Sequence, residues 1–239
     1  IYQCDWSSDV CSSDLAAIDK LKQYSAAISN PNELLLAWGY DIPAMKQVPD
    51  RASLDQVSKT RPIIVWDASE HNFFFNSAAL NRYIKDPEQI KKLPGVGVNS
   101  DGSLNGQFLG ADAASSALEL AAGDIFSAER FNKAMLYSND LAQQGGITTT
   151  AELTLGVFDI ELEKQLMQKF TSSNTTSLRM AVVAYQPNFE KAYGDKAVEQ
   201  VLALQKLNTD RLFYKGIKFL NDDAYLSDTM KVANPSYTD

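Results

Sequence analysis

Two side chains in this sequence offer chemistry that ordinary packing does not demand. His71 is the only histidine among 239 residues. It closes the polar run Asp67-Ala68-Ser69-Glu70-His71, directly after the strand-like apolar run Ile63-Ile64-Val65-Trp66. An imidazole there can ligate a metal, act as a general base or hydrogen-bond a substrate. Equally, it can be a polar loop residue capping the helix that opens at Asn76-Ser77-Ala78-Ala79-Leu80. One histidine does not build a hydrolytic metal centre, which draws on three or more His or carboxylate ligands. Lys218 interrupts the apolar strand Gly216-Ile217-Lys218-Phe219-Leu220. A strand lysine snorkels to solvent, pairs with a charge or is used chemically. Strict alternation puts Lys215 on the opposite face from Lys218.

Other polar residues fall into a pattern with these two. Glu152 follows Thr148-Thr149-Thr150 and can be a ligand, a base or a helix-start acid favoured by the dipole. Asp67/Glu70/His71, Glu152, Tyr185/Gln186 and Lys218/Asn221/Asp222 all lie at or just past the carboxyl ends of expected strands. In a (β/α) barrel such ends converge on one face, although any strand must end in something polar. Trp66 and Phe73-Phe74-Phe75 read as core or pocket wall. Gly95-Val96-Gly97 lacks the strand–turn–helix context and the lysine of a phosphate loop. Glu119 and the acids of Asp159–Glu163 read as solvated helix faces.

The elements that must position these residues follow from periodicity. Ala16–Ser29 has helical spacing, with Ile18, Leu21, Tyr24 and Ile28 on one face. Leu34–Trp38 is a strand, a short helical turn lies near Leu54–Val57, and Ile63–Trp66 is a buried strand leading through a polar turn into a helix. Val96–Gly110 reads as a hairpin around Asn99-Ser100-Asp101-Gly102. Ala111–Ala122 and Ala128–Gln144 are helical, the second stopping at Gly145-Gly146. Then the chain alternates: strand Ile147–Ala151 ending at Glu152, helix Asp159–Phe170, strand Leu178–Tyr185, helix Phe189–Leu207, strand Leu212–Phe219. That rhythm implies βαβ units and a parallel sheet.

Composition bounds the rest. Hydrophobic residues make up 45% and charged residues 22%, as in ordinary globular proteins. A net charge of −8 argues against a nucleic-acid partner, because phosphate binding needs clustered Lys and Arg. No stretch approaches the ~20 apolar residues of a membrane span. Asp5–Leu15, DWSSDVCSSDL, resembles a translated reading frame of a sequencing-library adapter, so residues 1–15 are expected to be an artefactual tail. Both cysteines, Cys4 and Cys11, lie in it, which leaves the body without a thiolate ligand, disulfide or cysteine nucleophile.

Several stretches together, in order, resemble one family, the YtcJ-like metal-dependent amidohydrolases (amidohydrolase family 3). Trp38-Gly39-Tyr40-Asp41 resembles a shortened W-x-G-x-G-[WY]-D. Pro49–Val57 resembles P-T-R-x-x-L-D-x-V. Arg61–His71 with Asn76–Leu80 resembles P-V-x-[LV]…G-H…N-S-x-A-L. Asp101–Phe108 resembles D-G-x-x-x-G-x-[LF], Gly146–Thr149 resembles G-I-T-[ST], and Ile217–Asp222 resembles [VI]-K-[LF]-x-x-D-G. The resemblance runs from about Ala16 to the end, and it is the order of the motifs that carries it.

The resemblance implies a partial (β/α)8 barrel over residues 16–239 with an insertion at about 81–128. It implies hydrolysis of a small-molecule amide or formamide C–N bond by water activated on a divalent metal, zinc in most members. In such a site Lys218 is the metal ligand, directly or as a carbamate. His71 and Asp222 are catalytic, with His71 touching substrate or the attacking water, and Trp66, Glu152 and Asn76 lie on the substrate side. The family's H-x-H metal pair and its later histidines have no counterpart here. Asp67–His71 lacks the glycine before the histidine, and Asp223 replaces a glycine. The expectation is therefore an internal fragment, inactive alone, with oligomerisation and compartment left open. The contrasting expectation is a non-catalytic α/β domain that binds a small ligand and has lost its metal site.

Overall fold

The computed structural model describes residues 2–3, 14–172, 174, 176–222 and 230. The cysteines and Asp223 lie outside the described residues. The chain divides into two compact units, the first from the start to Phe126 with Asp222 onward, the second Ser127–Asn221.

The first unit runs β1 (Tyr2–Gln3), α1 (Asp14–Ala27), β2 (Leu35–Tyr40), α2 (Ile42–Met45), α3 (Arg51–Asp55), β3 (Ile63–Asp67), β4 (Asn72–Phe75), α4 (Ser77–Tyr83), α5 (Pro87–Ile90), β5 (Val96–Val98), β6 (Leu104–Leu109) and α6 (Ala111–Ile125). Its sheet has the order β1-β2-β3-β4-β6-β5. β1, β2 and β3 are parallel, and the β3/β4, β4/β6 and β5/β6 pairs are antiparallel. The sheet is thus mixed, and among the described residues no barrel closes. The expected hairpin at 96–110 is present as β5 and β6. The stretch expected as an insertion, 81–128, contributes β5, β6 and α6 to this same sheet and its covering layer.

The Phe73-Phe74-Phe75 run is a strand, which the periodic reading missed. Phe73 and Phe75 pack with Ala79, Leu80 and Ala117 on one side of the sheet. Phe74 packs with Ala17, Leu21 and Leu54 on the other. With both faces covered, every position is apolar and no alternation shows in the sequence. All three rings are essentially fully buried, each contributing about 1.5–3 kcal/mol.

One buried polar side chain ties several segments of this unit together. Arg61 donates to Ser25 Oγ (3.1 Å) and to the carbonyls of Asn30 (2.7 Å), Glu33 (2.9 Å) and Ile28 (2.8 Å), fastening the end of α1 to the start of β3. These carbonyls satisfy a guanidinium that would otherwise be costly to bury.

The second unit runs α7 (Ala128–Gln144), β7 (Thr149–Leu155), α8 (Ile160–Ser172), β8 (Arg179–Tyr185), α9 (Gln186–Tyr193), α10 (Ala197–Leu204) and β9 (Leu212–Lys218). Its sheet is parallel, ordered β7-β8-β9. The strand–helix alternation expected from the sequence holds here, with two differences. β7 continues past Glu152 to Leu155. The single helix expected at 189–207 is broken by Gly194, which takes φ 54° and opens a 3₁₀ turn over Gly194–Lys196. One sheet face packs Leu155, Met180, Val182, Ala184, Leu212 and Tyr214 against Met167, Phe170, Phe189 and Leu204 from the helices. No helix among the described residues is long and apolar enough to cross a membrane.

Candidate functional site

The expected site residues separate by unit. His71, Trp66 and Asn76 belong to the first, and Glu152 and Lys218 to the second. Asp222, exposed, groups with the first.

In the first unit the polar turn Asp67–Asn72 joins two antiparallel strands. It is a hairpin and not the strand-to-helix loop that the apolar run implied. Asp67 is buried, and its carboxylate organises the turn. It accepts from Ser69 Oγ (2.6 Å), from the backbone N–H of Asn72 (3.0 Å) and from Asn72 Nδ2 (2.8 Å). Glu70 takes a left-handed φ of 67° to close the turn. His71 is half-buried, and its backbone N–H donates to Ser69 Oγ (3.2 Å). Trp66 stacks on its cross-strand partner Phe73, with ring centroids 4.8 Å apart. Its indole Nε1 is buried without a hydrogen bond.

Asn76 is fully buried and wholly occupied by the backbone. Its Oδ1 accepts from the N–H groups of Ile63 (2.9 Å) and Ala79 (2.9 Å). Its Nδ2 donates to the carbonyls of Ser58 (2.7 Å) and Arg61 (2.8 Å). It ends β4, caps α4 and secures the start of β3 at once. That leaves its side chain no atom to offer a substrate.

In the second unit, register decides which face each residue takes. Tyr185 pairs with Lys218, and Ala184 with Ile217. Ala184 belongs to the helix-packed face, so Lys218 and Tyr185 lie together on the opposite face at the carboxyl end of the sheet. Lys218 is half-buried there. The Tyr185 phenol is pushed up from its ordinary pKa by burial. An irregularity between β8 and β9 inserts one residue around Gly216, which adopts φ 80°. Plain alternation from Lys215, the basis of the sequence reading, therefore does not run through β9.

Glu152 pairs with Val182, and Val182 with Tyr214, both in the helix-packed core. Glu152 thus lies on the face opposite Lys218. Its Oε1 accepts from the backbone N–H (2.8 Å) and Oγ1 (2.7 Å) of Thr154.

Glu163 was expected on a solvated helix face, yet it is only 6% exposed. Its carboxylate turns back onto the loop between β7 and α8, and burial pushes its pKa above the ordinary carboxylate value. The available signal was its place in the first helical turn after a turn glycine, Gly156, where an acid can meet loose backbone N–H groups. Among the described residues no group of three His, Cys, Asp or Glu side chains is placed to hold a metal.

No family model matches the chain, and no curated protein matches it. Two solved structures share its fold. An uncharacterised metal-dependent hydrolase from Pyrococcus horikoshii OT3 aligns with a TM-score of 0.53 and 11% identity, over 87% of this chain and 37% of that one. An uncharacterised metal-dependent hydrolase from Pyrococcus furiosus aligns with a TM-score of 0.51 and 12% identity, over 87% of this chain and 38% of that one. The chain thus spans under two fifths of the length of either structure.

Proposed function

We propose that this chain contributes part of the catalytic barrel of a metal-dependent hydrolase that cleaves a non-peptide C–N bond in a small amide or formamide. The observation that carries the reading is Lys218, in register with Tyr185 on the face opposite the helix-packed core, at the carboxyl end of a parallel sheet. In barrels of alternating strands and helices, that face and that end hold the reacting groups. The fold likeness to two metal-dependent hydrolases supports it, as does the ordered series of amidohydrolase-like motifs. In this reading the remaining donors come from parts of the enzyme other than the described residues. Carboxylation of Lys218 would turn a cation into an anionic oxygen donor of the type a divalent ion such as zinc accepts. His71, Asp222 and Trp66, in the first unit, enter this reading through the motif resemblance alone.

The test is direct. The chain is incubated with ¹³C-bicarbonate and Zn²⁺, and a carbamate carbon is sought by NMR, alongside zinc retention by equilibrium dialysis. A carbamate signal lost in Lys218→Ala is the expected result. Its absence in the wild-type chain, with zinc retention equal in both proteins, overturns the assignment of Lys218. The isolated chain is expected not to hydrolyse an N-formyl amine, and turnover at an ordinary kcat would overturn the division of the site.

The lack of a three-residue donor cluster among the described residues favours a second reading, a small-ligand-binding α/β domain without catalysis. An H-x-H encoded in frame upstream supports the enzyme, and an intact gene starting near Ala16 supports the binder.

A further inference from the structure

Between α1, the loop after β2 and α3, the first unit encloses a cavity of about 160 Å³. Its floor is apolar. Ala17 and Leu21 from α1, Leu54 from α3 and Val65 from β3 line it, each at most 1% exposed. Protein interiors leave few voids larger than a water molecule, and an apolar cavity of about 150 Å³ is enough to hold a benzene ring. Ala17 gives the wall only a methyl group, and the loop on the other side is held by its own bonds. Tyr40, the last residue of β2, donates its hydroxyl to the Gln47 carbonyl at 3.1 Å. Lys46 takes a left-handed φ of 55°. Asp50 is tied into the start of α3 by a reciprocal cap with Ser53.

The mouth is polar and carries one sign of charge. Gln47 there is exposed and Asp50 half-buried. Asp50 Oδ1 accepts from the Ser53 N–H at 2.8 Å. Its Oδ2 takes no hydrogen bond among the described residues, and no ion pair holds the carboxylate there. The Gln47 carbonyl accepts from Tyr40 alone among them and keeps a second lone pair. No lysine, arginine or histidine lines the cavity. Arg51, the next residue along, is turned away: it donates to Ser103 Oγ at 3.3 Å, and its charge bears on Asp101 in the turn between β5 and β6. Lys46 is exposed. The chain's net charge of −8 adds a field of the same sign as Asp50.

We propose that this cavity binds a small alkyl- or arylammonium ion, its hydrocarbon part among Ala17, Leu21, Leu54 and Val65 and its ammonium group at Asp50 and the Gln47 carbonyl. The apolar floor gains from removing hydrocarbon from water. The two acceptors at the mouth match an ammonium, whose three N–H groups only donate and whose charge strengthens each bond. A carboxylate ligand of the same size would meet a like charge and no donor cation. The place in the fold agrees. β1, β2 and β3 run parallel, Tyr40 at the carboxyl end of β2 lines the cavity, and ligands of open α/β sheets bind outside the carboxyl ends of the strands. The site draws on neither Lys218 nor His71, so it stands apart from the hydrolase reading.

Benzylamine, benzyl alcohol and benzoate, each titrated into the full chain at neutral pH and followed by methyl NMR, test the proposal. Benzylamine should shift the Ala17, Leu54 and Val65 methyl signals saturably, with a Kd of about a millimolar. Benzoate should bind roughly tenfold more weakly. Asp50→Asn keeps a good N-cap residue and removes only the charge. It should weaken benzylamine by about three- to tenfold and leave benzyl alcohol unchanged. Ala17→Leu fills the cavity and should abolish the binding of all three. The absence of saturable shifts at these methyl groups overturns the proposal. So do equal affinities for benzylamine and benzoate, undiminished benzylamine binding in Asp50→Asn, or binding that survives in a folded Ala17→Leu chain. If Ala17→Leu does not fold, the titrations of the wild-type chain and Asp50→Asn decide alone. None of these readouts depends on turnover, so they separate failure of this site from failure of the hydrolase reading.

Discussion

Asn76 shows how far a side chain's surroundings can narrow its role. Its resemblance to a family motif put it on the substrate side, yet all four of its hydrogen-bonding directions are taken by backbone groups of β3, α4 and the chain before β3. Asn76→Ala would leave buried donors and acceptors unsatisfied, at a cost of about 2–4 kcal/mol. Urea unfolding followed by tryptophan fluorescence measures it, since Trp38 and Trp66 both lie in the first unit. A loss below about 0.5 kcal/mol would mean the residue is not structural after all. His71 and Lys218 stand in different places from Asn76: each is half-buried, His71 in the turn before β4 and Lys218 at the end of β9.

At the scale of elements, glycines separate backbone strain from steric exclusion. Gly102 and Gly106 both have positive φ, 80° and 88°. A Cβ at Gly102 meets nothing within 4 Å, whereas at Gly106 it would sit 2.2 Å from the Phe75 carbonyl oxygen and 3.1 Å from the Arg51 backbone nitrogen. Gly102→Ala should therefore cost roughly 1–2 kcal/mol, the strain of a left-handed alanine. Gly106→Ala should cost about 3 kcal/mol or more, because β6 must move away from β4. Chemical denaturation of the two variants side by side checks this, and equal losses would show that φ alone governs both. The same device acts in β9, where the irregularity at Gly216 sets Lys218 beside Tyr185.

For the whole molecule, the second unit presents an incomplete sheet. Among the described residues β7 and β9 each pair only with β8, and Leu153 on β7 is 51% exposed. Open strand edges with apolar side chains template association. Sedimentation velocity should show self-association that rises with concentration, and Leu153→Lys should suppress it without loss of secondary structure. Association unchanged in Leu153→Lys would place the contact elsewhere.

The sequence by itself determined most of the elements. Where one face is buried and the other wet, as in α1 and α8, the period of the apolar residues is visible. Where strands alternate with helices, as from β7 to β9, segment lengths imply a parallel sheet. It also marked Lys218 as a lysine out of place. Only the tertiary structure decided three things. It made Phe73–Phe75 a strand, because a strand covered on both faces shows no period. It put Glu152 and Lys218 on opposite faces, because a single-residue irregularity in β9, between Tyr214 and Ile217, reverses the alternation before Lys218. It turned Glu163 from a surface acid into a buried one bonded to the loop before it, because burial depends on what packs over a helix's first turn. The Arg61–Leu80 stretch, with its lone histidine, proved to be a hairpin held by Asp67 and Asn76.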